Sequence, residues 1–98
     1  MYVVIRKFEK MASVGEAARR AQTGIGPMLK GQKGFRGYYV FDAGEGAGGS
    51  ITLFDDQQSA LAAHEKSLTW IRASLADLVQ GEPDVTFGEV LVIAEPDE

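Results

Sequence analysis

The sequence has no cysteine, no long apolar run and no excess of basic residues, and each of these absences excludes a class of protein. Without cysteine there is no disulfide, no thiolate nucleophile and no thiolate metal site, which is typical of a cytoplasmic protein. No stretch approaches the roughly 20 apolar residues that a membrane-spanning helix needs. The first residues, MYVVIRKFEK, carry charges within what would be the apolar region of a signal peptide, so we expect no export signal.

The charge balance argues against nucleic acid as a partner. The formal net charge is −4, from 10 basic and 14 acidic residues. A nucleic-acid-binding face concentrates lysine and arginine, whereas the basic residues here are scattered, with no adjacent pair beyond Arg6–Lys7 and Arg19–Arg20. We therefore expect neither a nucleic acid nor a membrane as partner. The 98 residues, 45% of them apolar, are expected to form a single domain over residues 1–98.

The order of the hydrophobic periodicities predicts the architecture. A strand pattern over residues 2–8 is followed by a helix pattern and then by two strand patterns, over 35–42 and 50–55, joined by a glycine-rich turn. A second helix over 57–80 and a last strand over 85–94 complete the chain. This β-α-β-β-α-β order predicts an α+β, ferredoxin-like protomer with a four-stranded antiparallel sheet.

Polar residues and glycines predict where the helices begin and end. Ser13 and Glu16 fit a capping box at the start of the first helix. Residues 24–27, GIGP, interrupt its apolar stripe, so the helix is expected to kink there or to end and restart. Asp55 or Asp56 is expected to cap the second helix.

Apolar residues occupy both faces of the predicted sheet. Two helices can cover one face only, and strands whose other face meets water alternate apolar with polar residues. The first strand instead has Val3 and Ile5 on one face and Val4 and Phe8 on the other, and the last strand has the same character. Because such a face would be a large exposed apolar patch, we expect a two-fold homodimer that covers it.

A resemblance to a known family rests on five segments: MYVVIRKFE, GFRGYY, SITLFDD, the helix that contains Trp70, and GEVLVI. Together they cover almost the whole chain and resemble the antibiotic biosynthesis monooxygenase-like domains of the dimeric α/β-barrel superfamily. The resemblance implies a ferredoxin-like protomer whose sheet pairs with that of a second copy into a dimeric α/β barrel. Some members are cofactor-independent monooxygenases, some degrade haem, and some have no known reaction.

Two departures from the family pattern count against either reaction. Oxygenases of the family tend to use an Asn, a Trp and an Arg or His around a pocket between sheet and helices, and this sequence contains no asparagine. Haem-degrading members place their haem-ligating His a few residues after the Trp of the second helix, whereas the only histidine here, His64, precedes Trp70. We expect no cofactor.

His64 is the candidate catalytic residue because it lies on the apolar stripe of the second helix with Leu61, Leu68, Ile71 and Leu75. Its unperturbed pKa lies near neutrality, so an imidazole that faces a pocket can act as a general base or orient a ligand. The alternative is a histidine of the core or the pocket edge whose ring is satisfied by a backbone carbonyl.

Aromatic and basic residues supply the candidate ligand-binding set. Tyr38 and Tyr39 could stack on a phenolic or quinone-like ligand, and Arg36 could pair with an anionic group; aromatics in strands also serve simply as core or interface. Trp70 is predicted to lie nearly opposite the apolar stripe and to contact another subunit or form a lid, or else to be a partly exposed packing residue. Its predicted neighbours are small (Ala63, Ser67 and Ser74).

Three further kinds of site are excluded. Residues 44–49, GEGAGG, match G-x-G-x-x-G, but a strand follows where a nucleotide-binding fingerprint needs a helix. One histidine and no cysteine leave only carboxylates for a metal, so we expect no metal site. Ser/His/Asp catalysis needs a nucleophilic serine as well as a histidine, and the sequence has a histidine but no recognisable nucleophile motif.

Two functions remain open from the sequence. The first is a cofactor-independent monooxygenase-like enzyme acting on a small aromatic molecule, with His64 as base and a pocket between sheet and helices. The second is a non-catalytic homodimer that binds a small ligand or a protein partner. The missing asparagine favours the second function, and the inward position predicted for His64 favours the first.

Overall fold

The computed structural model describes residues 1–97; Glu98, the last residue of the predicted 1–98 domain, lies outside the described residues. The elements follow in chain order: β1 (Tyr2–Phe8), α1 (Val14–Thr23), α2 (Ile25–Lys30), β2 (Phe35–Gly44), β3 (Ala47–Phe54), α3 (Gln57–Ser74) and β4 (Asp84–Glu89). The strands form one antiparallel sheet in the order β2-β3-β1-β4, which is the predicted ferredoxin-like topology. No helix within residues 1–97 has the length and apolar character needed to cross a membrane.

β1 lies in the middle of the sheet, and its pairing decides which side chains face the helices. Val4 is opposite Thr52 of β3 and Phe87 of β4, so these three residues share one face. The same face of β1 carries Arg6 and Phe8, and all three of its side chains are buried. The core forms between this face and the helices, and its larger cluster contains seven buried residues: Val4, Ala21, Ile25, Leu29, Phe54, Ala60 and Ala63.

The opposite face of the sheet is also apolar, as the sequence predicted. β1 contributes Val3 and Ile5, which pair with Leu53 and Ile51 of β3. β2 adds Tyr39, whose side chain is 58% exposed. This outer face, defined by Val3, Ile5, Tyr39, Phe41, Ile51 and Leu53, points away from the core clusters.

The predicted capping residues hold both helix starts. The Ser13 hydroxyl accepts the amide of Glu16 at 3.1 Å, and the Asp56 carboxylate accepts the amide of Ser59 at 2.8 Å. The Glu16 carboxylate does not complete a reciprocal box: it accepts hydrogen bonds from Arg19 and Arg20 instead, and these guanidiniums hold the pKa of Glu16 well below its usual range. N-cap bonds of this kind satisfy amides that have no partner within the helix.

Gly24 divides the first helical region into α1 and α2, as the GIGP segment predicted. Its backbone has φ −103° and ψ −88°, outside the helical range. A Cβ atom added at Gly24 would lie 2.8 Å from Nε1 of Trp70 and 3.0 Å from the carbonyl oxygen of Arg20. Glycine is therefore the residue that lets Trp70 reach the junction between the two helices. Pro27 falls in the first turn of α2, where a missing amide costs no helical bond.

The hairpin is longer, and its turn shorter, than the predicted seven-residue turn AGEGAGG. Gly44 pairs with Ala47, which leaves Glu45 and Gly46 as the turn, both with positive φ. Gly48 and Gly49 belong to β3, so the prediction was wrong at the end of the turn. A Cβ atom at Gly49 would collide with the carbonyl oxygen of Arg6, so close approach of β1 explains this glycine better than turn formation does.

The prediction for the second helix was wrong in its end, and its buried face was predicted in part: His64 and Ile71 are buried as expected, but Leu61 is exposed. α3 ends at Ser74, whose carbonyl accepts a hydrogen bond from Arg20 of α1 at 2.9 Å. The residues that α3 buries are Ala60, Ala63, His64, Ser67 and Ile71, whereas Leu61 is 37% exposed. Alanine and serine let the helix approach the sheet closely, and the predicted stripe joins the core only in its later part, at Ile71 and Leu75.

The predicted last strand, 85–94, was too long. β4 ends at Glu89, which pairs with Tyr2 at the start of β1, and only the amide of Val90 reaches further, to the carbonyl of Met1. The last paired residue of the strand therefore lies beside Tyr2 of β1. Beyond it, Leu91, Val92 and Ile93 form an apolar tail segment that is 88%, 82% and 57% exposed.

Replacement of Gly24 by alanine should destabilise the protein by about 1–3 kcal/mol, because the added methyl group collides with Trp70 and with backbone. Gly15→Ala is the matched control: Gly15 lies in α1 with open space around its Cβ position, so alanine there should stabilise by about 0.5–1 kcal/mol. Urea unfolding measures both. Equal effects of the two substitutions would contradict the close packing of Trp70 on Gly24.

Candidate functional site

An internal cavity lies between the sheet and helices α1 and α3. Its volume is about 40 Å³, and since one ordered water needs roughly 10–15 Å³ on this measure, it holds a few waters but not an organic ligand. Most of the lining is apolar, from residues such as Phe8, Val14 and Leu75. Five residues bring polar groups to it: Arg6, Tyr38, Ser50, Ser67 and Trp70.

An open groove of about 620 Å³ adjoins this cavity. The groove runs between the edge strand β2 and the α1–α2 region, including Pro27 and Lys30. Tyr38 and Val40 line both the groove and the cavity, so these two side chains form the wall between them. The groove has the size of a small-molecule site, and displacement of the Tyr38 side chain would join the two spaces.

The Arg6 side chain is the most unusual group in the cavity wall. It points inward from the centre of β1 and is 1% exposed. Nη1 and Nη2 both donate to the hydroxyl of Thr52, at 3.0 and 2.6 Å, and Nη2 reaches the hydroxyl of Ser67 at 3.5 Å. The Nε atom is buried with no hydrogen-bond partner among residues 1–97.

Arg6 is a buried cation without a carboxylate partner in the described part of the chain. Burial lowers the pKa of Arg6 to about 10, so the guanidinium is still charged at neutral pH. Burial raises the pKa of the neighbouring Tyr38, with the positive charge of Arg6 acting in the opposite direction. The cavity therefore presents a positive charge and a neutral phenol.

Trp70 faces inward, which corrects the outward orientation predicted for it. It is half-buried, packs against both core clusters and lines the cavity. Its Nε1 atom lies beside Gly24, where the first helical region breaks. The error came from the rotated buried face of α3, because Ala63 and Ser67 are buried beside it. Its predicted role as an interface or lid residue stays a prediction.

His64 is buried, at 5% exposure, but it is not among the residues that line the cavity. Its ring meets Phe87 of β4 edge to face, with centroids 5.2 Å apart, and its Nδ1 atom is buried with no partner among residues 1–97. Burial lowers the pKa of His64, and the charge of Arg6 lowers it further. Its predicted role as the catalytic base stays a prediction, and it has no place in the cavity wall.

The predicted ligand-binding residues are not brought together. Tyr38 lines the cavity, whereas Tyr39 lies on the outer face of the sheet and touches only the groove. Arg36 is exposed and pairs with the carboxylate of Asp55 at the surface. The sequence-based reasoning missed Arg6, although an arginine between the inward positions Val4 and Phe8 is a visible signal.

The polar groups around the cavity suit an oxygen ligand rather than a metal. Guanidinium and indole are hydrogen-bond donors only, and the hydroxyl of Ser50 can donate as well, whereas that of Ser67 already donates to the carbonyl of Ala63. Within residues 1–97 no three His, Asp or Glu side chains converge on a point where a metal could bind. What the arrangement can do is hold an electron-rich oxygen of a small, otherwise apolar molecule.

The lowered pKa of His64 should make folding pH-dependent. The folded state disfavours the protonated ring, so its contribution to stability is complete above about pH 6.5, the unfolded value, and is lost as the pH falls below it. We expect the unfolding free energy to fall by at most about 1.4 kcal/mol per pH unit from this group. Urea unfolding between pH 7 and pH 5 measures the slope, and His64→Leu should flatten it. An unchanged slope in that variant would contradict the assignment.

Comparison with known proteins finds likeness in structure only. No protein-family model matches the sequence, and no curated protein matches it significantly. Among solved structures, protein NE2512 of unknown function from Nitrosomonas europaea superposes with a TM-score of 0.76 at 17% identity, over 99% of this chain and 95% of that one.

Two similar structures are oxygenases. The monooxygenase ActVA-Orf6 of Streptomyces coelicolor, solved in complex with nanaomycin D, has a TM-score of 0.76 at 16% identity, over 98% of this chain and 92% of that one. SnoaB, a cofactor-independent oxygenase of Streptomyces nogalater, has a TM-score of 0.71 at 9% identity, over 94% of both chains. The chain therefore has the fold of the antibiotic biosynthesis monooxygenase-like proteins, as the resemblance in its sequence implied.

Proposed function

We propose that this protein is a cofactor-independent monooxygenase-like enzyme that acts on a small aromatic molecule. The observation that carries the proposal is the cavity between sheet and helices, whose apolar wall also presents Trp70, Tyr38 and the hydrogen-bond donors of Arg6. Two oxygenases share the fold over nearly the whole chain, which supports this use of the same region.

The proposed reaction needs no bound cofactor. When a phenol is oxidised to a quinone by one molecule of O₂, one oxygen atom enters the ring and the other leaves as water. The hydroxyl hydrogen and the ring hydrogen end in that water, so the substrate itself supplies all the electrons. The protein has to bind the ring, orient its oxygen and exclude water from the reacting carbon, which is what an apolar cavity with a few donors can do.

The substrate has to enter by way of the groove. The cavity alone is about 40 Å³ and the adjoining groove about 620 Å³, so an aromatic ring system fits only when the wall between them yields. Tyr38 is the large side chain of that wall. Its position on the edge strand β2, together with the nearby α1–α2 break at Gly24, makes this side of the cavity the part best able to open.

A second candidate function is ligand binding without turnover. The observation that favours it is the absence of a general base at the cavity: His64 is not in the wall, and Arg6, Tyr38 and Trp70 are not bases at neutral pH. The missing asparagine points the same way. Oxygen consumption separates the two functions.

We also propose that the protein is a homodimer, each protomer being one domain, with the outer face of the sheet covered by a second copy. That face is apolar across three strands, and the tail segment Leu91–Ile93 exposes three more large apolar side chains beyond the end of β4. A two-fold axis lets each tail find cover on the other protomer without any further protein. Assembly would thus bury both apolar surfaces at once.

The enzymatic proposal predicts oxygen consumption with a panel of reduced polycyclic phenols, measured with an oxygen electrode. Tyr38→Phe should lower the rate at least several-fold, because it removes the phenol hydroxyl beside the Arg6 charge. Tyr2→Phe is the matched control, since Tyr2 is a partly buried tyrosine packed on the core away from the cavity wall. If wild type consumes no oxygen with any phenol, or with haem as a further candidate, while a small aromatic molecule raises its melting temperature, the binding function replaces the enzymatic one.

The homodimer proposal predicts a mass of two chains in light scattering at micromolar concentration. Val92→Asp should weaken the dimer by about 100-fold or more, because the new carboxylate would be buried without a partner. Val92 is 82% exposed in the protomer, so the substitution leaves the core intact. Leu61→Asp, an equivalent change on the exposed side of α3, should leave the mass unchanged. A stable wild-type monomer would contradict the proposal.

A further inference from the structure

We propose that Arg6 is an anion-recognition site, and that the ligand of the cavity is an aromatic molecule carrying an anionic oxygen, a phenolate or a carboxylate. This inference rests on the proposed function for the aromatic occupant and adds the charge of that occupant. Pairing with an anionic group was expected of Arg36, but Arg36 pairs with Asp55 at the surface, and Arg6 takes this role.

The hydrogen bonds of Arg6 leave donors free in the buried wall. A guanidinium has five N–H donors, and its bonds here go to two hydroxyl groups, those of Thr52 and Ser67. Nε has no partner among residues 1–97. Nε and Nη2 form one edge of the guanidinium, and the only contact on that edge is the long one to Ser67, at 3.5 Å. An oxygen anion in the cavity could accept the free Nε–H and replace the long contact of Nη2 to Ser67.

The charge of Arg6 is equally uncompensated. Its bonded partners are neutral hydroxyls, and the charged groups of the described chain form their ion pairs elsewhere. A fully buried cation without a counter-charge is costly to a folded protein. Bulk solvent does not reach it, since its side chain is 1% exposed. A ligand that brings a negative oxygen would supply the missing counter-charge.

Hydrogen bonds to both the sheet and a helix fix the Arg6 guanidinium in the orientation that an anion would need. Two bonds to the Thr52 hydroxyl fix the far edge of the guanidinium, and Thr52 is itself buried on the neighbouring strand β3. Ser67 is held by its own bond to the carbonyl of Ala63, at 2.9 Å, on α3. The sheet and the helix therefore orient the charged group before a ligand arrives, which lowers the cost of binding.

The test compares two probes of equal shape, 2-naphthoate and the uncharged 2-naphthamide, by isothermal titration calorimetry and thermal shift. Wild type should bind the anion at least 10-fold more tightly than the amide. Arg6→Gln should bring that ratio close to 1 while retaining binding of the amide, and Arg6→Lys should restore part of it. Lys7→Gln is the matched control, because it removes the same charge from the adjacent, exposed position of β1 and should leave the ratio unchanged.

A second measurement separates phenolate from carboxylate. The absorbance spectrum of 2-naphthol at pH 8 reports whether the bound molecule is ionised. Wild type should shift the bound fraction toward the naphtholate, and Arg6→Gln should abolish the shift. A preference for naphthoate without this shift identifies a carboxylate ligand, whereas the shift without that preference identifies a phenolate; each supports the anion site.

Three results would overturn the inference: a wild type that shows neither the preference nor the shift, an Arg6→Gln variant that keeps both, or a Lys7→Gln variant that loses them equally. If Arg6→Gln does not fold, the test rests on the ratio of naphthoate to naphthamide affinity in wild type and in Arg6→Lys. A ratio in Arg6→Lys equal to that of wild type, or a wild-type ratio close to 1, would then overturn the inference. Arg6→Gln is expected to melt at a temperature equal to or above that of ligand-free wild type, because it removes an unpaired charge. Oxygen consumption is measured separately. A preference for the anion without oxygen consumption would therefore contradict the enzymatic proposal and leave the anion site standing.

Discussion

The packing of β1 against the helices is the constraint on which the rest of the structure depends. β1 lies between β3 and β4, so its register decides for all three strands which side chains enter the core. A slip by one residue would exchange Arg6 for Lys7 and Val4 for Ile5. The observed register buries Val4 and Phe8 together with a charged group, and the cavity and the proposed ligand site both follow from that single inward arginine.

Small residues then decide how the helices meet this face. Ala60, Ala63 and Ser67 bring α3 close to the sheet, and Gly24 lets Trp70 reach the junction of α1 and α2. Because α3 buries the face that carries these alanines and Ser67, its Leu61 points outward and its Trp70 points into the cavity. The space that remains between the helices and the sheet is the cavity. Its polar groups come from Arg6, Tyr38, Ser50, Ser67 and Trp70.

The sequence predicted those features that depend on neighbouring residues along the chain, and it did not predict those that depend on contacts between distant elements. Periodicity and caps located every strand and helix, and Ser13, Gly24 and Asp56 acted as their residue types predicted. The buried face of α3 could not be read from its leucines, because it depends on how closely helix and sheet approach. The end of β4 depends on its register with β1, and the partners of Arg6 come from β3 and α3, so neither is visible in a local pattern.

The lack of a base in the cavity wall connects the charge of Arg6 to the proposed chemistry. Oxygenation without a cofactor requires the substrate to give electrons to O₂, and an anion gives them more readily than the neutral molecule. His64 is directed toward Phe87, and burial holds Tyr38 in its neutral form, so neither is placed to remove a proton in the cavity. A fixed positive charge can replace a base, because it lowers the pKa of a bound phenol, so that the proton can pass to water. On this argument the costly burial of Arg6 offsets the lack of a base in the cavity wall: the charge favours the ionised form of the bound substrate, and no side chain of the wall has to remove its proton.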